Sequence, residues 1–180
     1  MNDRQSTGAG PRVRSVVPGT RPELAELERT IRAERGGIPL LYEVLLNSAP
    51  LADGWEKLLT AIRNRSSVPA DLREMIILRV AILNRAPFEL DAHTPIARQV
   101  GVAEAKIQAI RDAALSEVFT PLERAVLTLT DVMTRDVQVP DAVFAPLRSH
   151  FDDRALVEVV ATVAAYNMVS RFLEALRIGH

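Results

Sequence analysis

The sequence predicts an all-α protein, a helical bundle folded as a single domain. Apolar residues recur at helical spacing in nearly every segment beyond residue 20, and each such run opens on a proline or small polar residue and closes near a glycine or asparagine. No stretch alternates apolar and polar residues in the way a half-buried strand does. The 180 residues suffice for one domain with a sizeable core, and 48% apolar with 25% charged residues excludes a disordered or fibrous chain.

Taken in order, residues 1–20 hold glycine, proline, serine and arginine with little to bury, which predicts a flexible or loosely docked arm ahead of a helical domain over 21–180. The first helix covers 22–35 and stops at Gly36-Gly37. A turn through Tyr42 and Asn47 leads to a helix over 51–64, with Trp55, Leu58, Leu59 and Ile62 on one face for burial. Pro69, after Ser66-Ser67, opens the run DLREMIILRVAILN, whose apolar density implies a central helix ending at Asn84. Residues 87–100, closed by Gly101, form the next helix, and 103–113 a short one. Thr120-Pro121-Leu122-Glu123 reads as a capping box with proline at the first helical position, opening a helix to about Met133. A short helix after Pro140 reaches His150, and Asp152 or Asp153 caps the last and longest one. Over 155–169 that helix is apolar almost all round, which predicts burial on most sides.

Composition removes several function classes. The formal net charge is -1 and the 22 basic residues are spread along the chain, so nucleic acid has no electrostatic footprint to recognise. With no cysteine the chain makes no disulfide, no thiolate metal site and no thiol redox centre. The amino-terminal residues lack the apolar stretch of a signal peptide, and no charge-free apolar run reaches membrane-spanning length. A cytoplasmic protein without membrane contact is expected.

The segment NRAPFELDAHTPIARQVG carries the chemistry. On a helix Glu89, His93, Ile96, Ala97 and Val100 fall along one stripe, while Asp91, Thr94 and Arg98 fall along a wholly polar one. The polar stripe should face water, which turns Glu89 and His93 inward. Burial without a hydrogen-bond partner costs each group of order ~1–3 kcal/mol, so such groups persist when they satisfy each other or meet a ligand. Three readings follow: a structural pair, a cofactor-free acid/base site, or a metal site. The metal reading lacks a third ligand, since only His150 and His180 remain as histidines, and no metal is expected. Pro95, two residues after His93, should bend the helix or free a carbonyl beside the pair.

The run 72–81 (LREMIILRVA), followed by Asn84, Glu89-x-x-x-His93, Ala97-Arg98 and Gly101-Val102, resembles the core signature of the carboxymuconolactone decarboxylase family. The tail Ala165-Tyr166-Asn167-Met168-Val169-x-Arg171-Phe172 is similar to many of its members, and the likeness spans roughly 40–178. The resemblance implies an alkylhydroperoxidase D-like helical fold with two chemical branches. One works through Cys-x-x-Cys-x-x-x-His with a glutamate on the preceding helix; the other keeps Glu-x-x-x-His and no redox thiol. This chain has Ala86 and Glu89 where the first branch has its cysteines, while His93 and Glu74 match that branch's histidine and glutamate. Peroxiredoxin-like activity is thereby disfavoured.

For the second branch the resemblance implies decarboxylation of an unsaturated lactone such as 4-carboxymuconolactone, or a related small ring acid, with no cofactor. On that reading His93 is the proton donor, Glu89 raises its pKa and fixes its tautomer, and Glu74 orients the pair. Arg171 and Asn167, four apart on the last helix, are candidates to hold a substrate carboxylate, with Tyr166 beside them as a further substrate-binding candidate. The structural alternatives are an Arg171–Glu174 ion pair and a Tyr166 that is plain core. A homotrimer or homohexamer is also implied. The competing class is a non-catalytic oligomeric module in which the pair is only a structural hydrogen bond.

Overall fold

The computed structural model describes residues 10–111 and 117–180, and every regular element among them is a helix. Contacts gather the chain into two compact units where the sequence suggested one domain. One unit runs to Lys57 and resumes at Leu173, and the other spans Leu58–Phe172.

In the first unit a 3-10 turn, Pro22–Leu24, leads into α1 (Ala25–Arg35), which Gly36 ends at φ 74°, a conformation glycine adopts without a Cβ penalty. α2 (Leu40–Leu45) occupies what the sequence presented as a turn. A helix this short does not hold by propensity; burial of Leu41, Tyr42, Val44 and Leu45 holds it, and periodicity over so few residues carries little signal. α3 (Ala49–Asn64) follows. Leu59 and Ile62 are buried as expected, whereas Leu58 is 43% exposed and lies on the rim of that face. Arg35 and Glu56 form a buried pair at 3.0 Å, with the guanidinium 5.7 Å from the Tyr42 ring centroid.

Residues 10–20 are not a loose arm. The Arg12 amide donates to the Leu176 carbonyl and the Val16 amide to the Glu43 carbonyl, each at 2.9 Å, and the Gly19 amide donates to the Glu28 carboxylate. Val16 is buried among them. A proline- and glycine-rich composition hides this docking, because it is made largely of backbone groups, with Arg12 donating to the Ala175 carbonyl and Asn47 to the Arg14 carbonyl. Residues 1–9 of the expected arm lie outside the described residues.

The second unit is built around α4 (Ala70–Leu83). Its residues from Met75 to Ala81 are all buried, so it is apolar on every side except where Glu74 and Arg79 interrupt it. Pro69 precedes it and Asn84 follows, close to the expected limits. The chain then reverses through a tight motif: the Arg85 amide donates to the Ile82 carbonyl at 3.1 Å and the Ala86 amide to the Ala81 carbonyl at 2.9 Å. This delivers the chain directly into α5 (Pro87–Gln99), which packs on α4. α6 (Glu104–Ala109) is shorter than predicted; residues 112 and 113 lie outside the described residues. α7 (Pro121–Arg135) begins with the predicted capping box, the Thr120 hydroxyl accepting from the Glu123 amide and the Glu123 carboxylate from the Thr120 amide. α8 (Asp141–Phe144) continues into a 3-10 turn, Ala145–Ser149.

α9 (Asp153–Leu176) is capped by the Asp152 carboxylate, which accepts from the Ala155 amide at 2.8 Å. Burial on most sides holds over 155–169, where the exposed residues Val157, Ala164 and Met168 fall along a single stripe of the helix. Among the described residues α9 is the one helix long and apolar enough to cross a membrane, and half of its most apolar window is buried inside the protein.

Arg79 is the largest fully buried side chain, with Nε and Nη2 each 2.6 Å from an oxygen of Asp131 on α7 and Nη1 donating to the Ile110 carbonyl at 2.8 Å. Removing Arg79 takes from Asp131 its bidentate partner and leaves the Ile110 carbonyl without that donor in the interior. Arg79→Ala should therefore destabilise the protein by about 3–5 kcal/mol in urea unfolding. Arg135 also reaches Asp131 at 3.2 Å, but its side chain is 51% exposed. Arg135→Ala should shift the same curve by less than about 1 kcal/mol.

Candidate active site

The abrupt turn after α4 sets the inner face of α5 against α4. Glu89, His93 and Ala97 are buried and Asp91 and Arg98 exposed, in keeping with the stripes read from the sequence, although Ile96 and Val100 are only half-buried. Pro95 sits inside α5 with its ring in solvent, so it frees a carbonyl on the wet side of the helix, away from the pair.

His93 Nδ1 lies 2.7 Å from Glu74 Oε2, a buried hydrogen bond between α5 and α4. Its other nitrogen, Nε2, is 3.6 Å from Glu89 Oε1, too long for a hydrogen bond. The role expected of Glu89, fixing the imidazole tautomer, thus belongs to Glu74. The physical reason is direction: a carboxylate four residues away on the same helix runs alongside the ring, whereas α4 brings Glu74 end-on to Nδ1. With Nδ1–H held by Glu74, Nε2 is left facing Glu89. Tyr166 of α9 closes the other flank, its ring edge-on to the imidazole with centroids 5.2 Å apart at 89°.

Burial pushes the Glu89 carboxyl up from its ordinary 4.5 to about 8. The positive charge of Arg63 opposes that rise and the negative charge of Glu74 adds to it. At neutral pH Glu89 is consequently a protonated acid, and its Oε2 is buried without a hydrogen-bond partner. Arg63 was not among the residues singled out in the sequence. Its signal was faint: a basic residue one turn after the buried Leu59.

Asn167 and Arg171 are placed differently from the expectation. The Asn167 amide nitrogen donates to Thr134 Oγ1 at 2.9 Å and the Val163 carbonyl at 3.0 Å, and Oδ1 accepts from Asn84 at 3.0 Å and from Arg171 Nη1 at 2.5 Å. Both donors and both acceptor positions are in use, so Asn167 is a structural node with nothing left for a substrate carboxylate. Arg171 is directed onto that node, and the Glu174 carboxylate is met by His180 Nε2 at 3.1 Å. Of the three expected substrate-binding residues only Tyr166 touches the Glu–His pair. Among the described residues no group of three His, Asp or Glu side chains is placed to hold a metal ion.

The model of the carboxymuconolactone decarboxylase family matches residues 49–131, which carry Glu74, Glu89 and His93. The Bacillus subtilis protein YdfG is 30% identical over 109 residues, 59% of this chain and 74% of YdfG. The chain belongs to the carboxymuconolactone decarboxylase family. A solved structure from Agrobacterium tumefaciens, ATU0492, named for the antioxidant defence protein AhpD and of unknown function, is 27% identical with a TM-score of 0.69, covering 74% of this chain and 92% of that one. The debrominase Bmp8, solved with 2,3,4-tribromopyrrole, is 19% identical with a TM-score of 0.78, covering 92% of this chain and 89% of that one. At that identity the likeness speaks for the fold alone. Family membership brings no dithiol here, because Ala86 and Glu89 stand at the two positions where the thiol branch that the sequence resembles has cysteines.

The raised Glu89 pKa has a measurable consequence. Below about 4.5 the folded and unfolded chains both carry this proton; between there and about 8 only the folded chain keeps it. The stabilising contribution is thus complete below 4.5 and is lost as pH rises to about 8. Glu89→Gln should flatten that decline, so that the variant melts above wild type near the alkaline end of the window and at or below it near the acid end. Thermal melts across the range check this.

Proposed function

We propose that this protein is a cofactor-free carboxy-lyase acting on a small carboxylated unsaturated ring acid of the 4-carboxymuconolactone type. One observation carries the reading: a neutral, buried carboxylic acid, Glu89, has an unpartnered oxygen and stands 3.6 Å from Nε2 of a histidine whose Nδ1 is anchored by Glu74. That is a proton source beside a proton relay, held in a low-dielectric interior.

In the reaction the bond between ring carbon and carboxylate breaks and carbon dioxide leaves. The bonding electron pair passes through the conjugated double bond to the lactone carbonyl, giving a dienolate. Glu89 donates its proton to carbon, regenerating the carbonyl. Solvent then protonates His93 at Nε2, and the ring passes that proton to Glu89 and returns to its neutral form, with Glu74 holding the Nδ1 side throughout. The donor role moves from His93 to Glu89 because Glu89 holds its proton up to about pH 8 and has an oxygen free to present it. The positive charge of Arg63 stabilises the negative charge left on Glu89 once the proton has gone.

The non-catalytic alternative accounts poorly for the geometry. A purely structural pair would close its hydrogen bond, whereas here the gap stays open and one buried oxygen lacks a partner. Thiol peroxidase chemistry has no sulfhydryl to run on.

Incubation with a panel of carboxylated lactones, followed by carbon dioxide release, tests the proposal. His93→Ala and Glu89→Gln should each lower kcat by about 10²–10⁴-fold. Wild-type turnover should fall as pH rises through about 8, where Glu89 gives up its proton. Equal rates in all three proteins would overturn the mechanism.

A further inference from the structure

The turn between α4 and α5 holds a second chemical feature one helical turn ahead of Glu89. A cavity of about 280 Å³ is lined by the apolar residues Ala81, Ile82, Ala86 and Leu90 and by two arginines, Arg85 and Arg111. Both arginines are exposed, and neither is joined by an ion pair or hydrogen bond to another described side chain. Two like charges bordering one small hollow repel each other until an anion lies between them.

The backbone adds a point. Arg85 sits at φ 55°, where the left-handed conformation costs a non-glycine residue about 1–2 kcal/mol. Arg177 shares that conformation at φ 54°, so the angle by itself is no signature. What distinguishes Arg85 is that it lines one cavity together with a second arginine and an apolar wall.

We propose that Arg85 and Arg111 form a carboxylate-recognition site for a single-ring organic acid. The guanidiniums take the carboxylate and Ala81, Ile82 and Leu90 take the ring. The volume argues for this size of ligand, since it falls just short of the ~300–1,000 Å³ typical of drug-sized pockets. Ala86, on the cavity wall, is three residues before Glu89 and seven before His93 on one face of α5, or about 4.5 Å and 10 Å along the helix axis. That this acid is the substrate rests on the proton-transfer reading of Glu89 and His93; that the site binds such an acid does not.

The test is a calorimetric titration with benzoate, with acetate, inorganic phosphate and benzyl alcohol as comparison probes. Benzoate should bind saturably and more tightly than the other three. Arg85→Gly and Arg111→Gln should each weaken it by at least ~10-fold. Arg85→Gly relieves the left-handed strain, so it should melt no lower than wild type and its loss of binding cannot be ascribed to unfolding. The proposal is overturned if benzoate does not saturate, if both arginine variants bind like wild type, or if acetate, phosphate or benzyl alcohol binds as well as benzoate. Arginine-dependent benzoate binding without any lactone turnover would retain this site and remove the lyase reading. Turnover with arginine-independent benzoate binding would do the reverse.

Discussion

The bidentate contact of Arg79 with Asp131 settles where α4 lies and which way it faces. A helix buried on every side has no wet face to set its rotation, and its apolar residues alone would tolerate turning about its axis. A guanidinium is less permissive, because its two forked donors need both oxygens of one carboxylate. Arg79 fixes the side of α4 that looks at α7. Glu74, five residues earlier, then projects about 140° around the axis, toward α5. The hydrogen bond from His93 to Glu74 is possible because the Arg79 contact has chosen the rotation. Fold and candidate chemistry are coupled through one buried helix with two charged residues.

The turn that follows α4 carries a comparable constraint. Only three residues separate α4 from α5, so the inner face of α5 is determined as soon as α4 is seated. Ala86 is buried at the turn, and Glu89 and His93 follow on the same face at intervals of three and four residues. A longer connection would have let α5 roll, and a carboxyl at position 89 could then have escaped to water. The short turn keeps it in the interior, where desolvation raises its pKa.

Much of this was legible in the sequence because it rests on local rules. The capping box at Thr120 and Glu123, the proline starts, the Gly36 stop and the inward stripe of Glu89, His93 and Ala97 each follow from spacing within a few residues. What was not legible depends on partners distant in the chain. Glu74 suits the first turn of any helix, and only the packing of α4 on α5 makes it the partner of His93. Asn167 and Arg171 looked available for a substrate because their four-residue spacing was visible, while Asn84 and Thr134, which saturate Asn167, stand 83 and 33 residues away. The docking of residues 10–20 runs through backbone amides and carbonyls of this segment and of distant ones, which composition does not register. α9 was judged by its apolar content, and content does not say which flank a neighbour covers.

A carboxyl at position 89 also bears on how two chemistries fit one scaffold. A free carboxyl is far too acidic to retain a proton at neutral pH, and a free thiol titrates near 8.5. Burial brings Glu89 to about 8, so the chain places at this point an acid of nearly thiol-like strength. His93 and Glu74 need no alteration to serve it, because an imidazole relays protons to a carboxylate or a thiolate of similar basicity alike. What changes is the electron chemistry. Sulfur can be oxidised and can form a bond to a second sulfur, whereas a carboxyl has no comparable redox step. A site with this geometry offers a proton donor and no sulfur for a two-electron step, which suits it to reactions whose electrons stay within the substrate. Decarboxylation of a conjugated lactone is such a reaction, because the ring's own carbonyl accepts the electron pair that the departing carbon dioxide leaves behind.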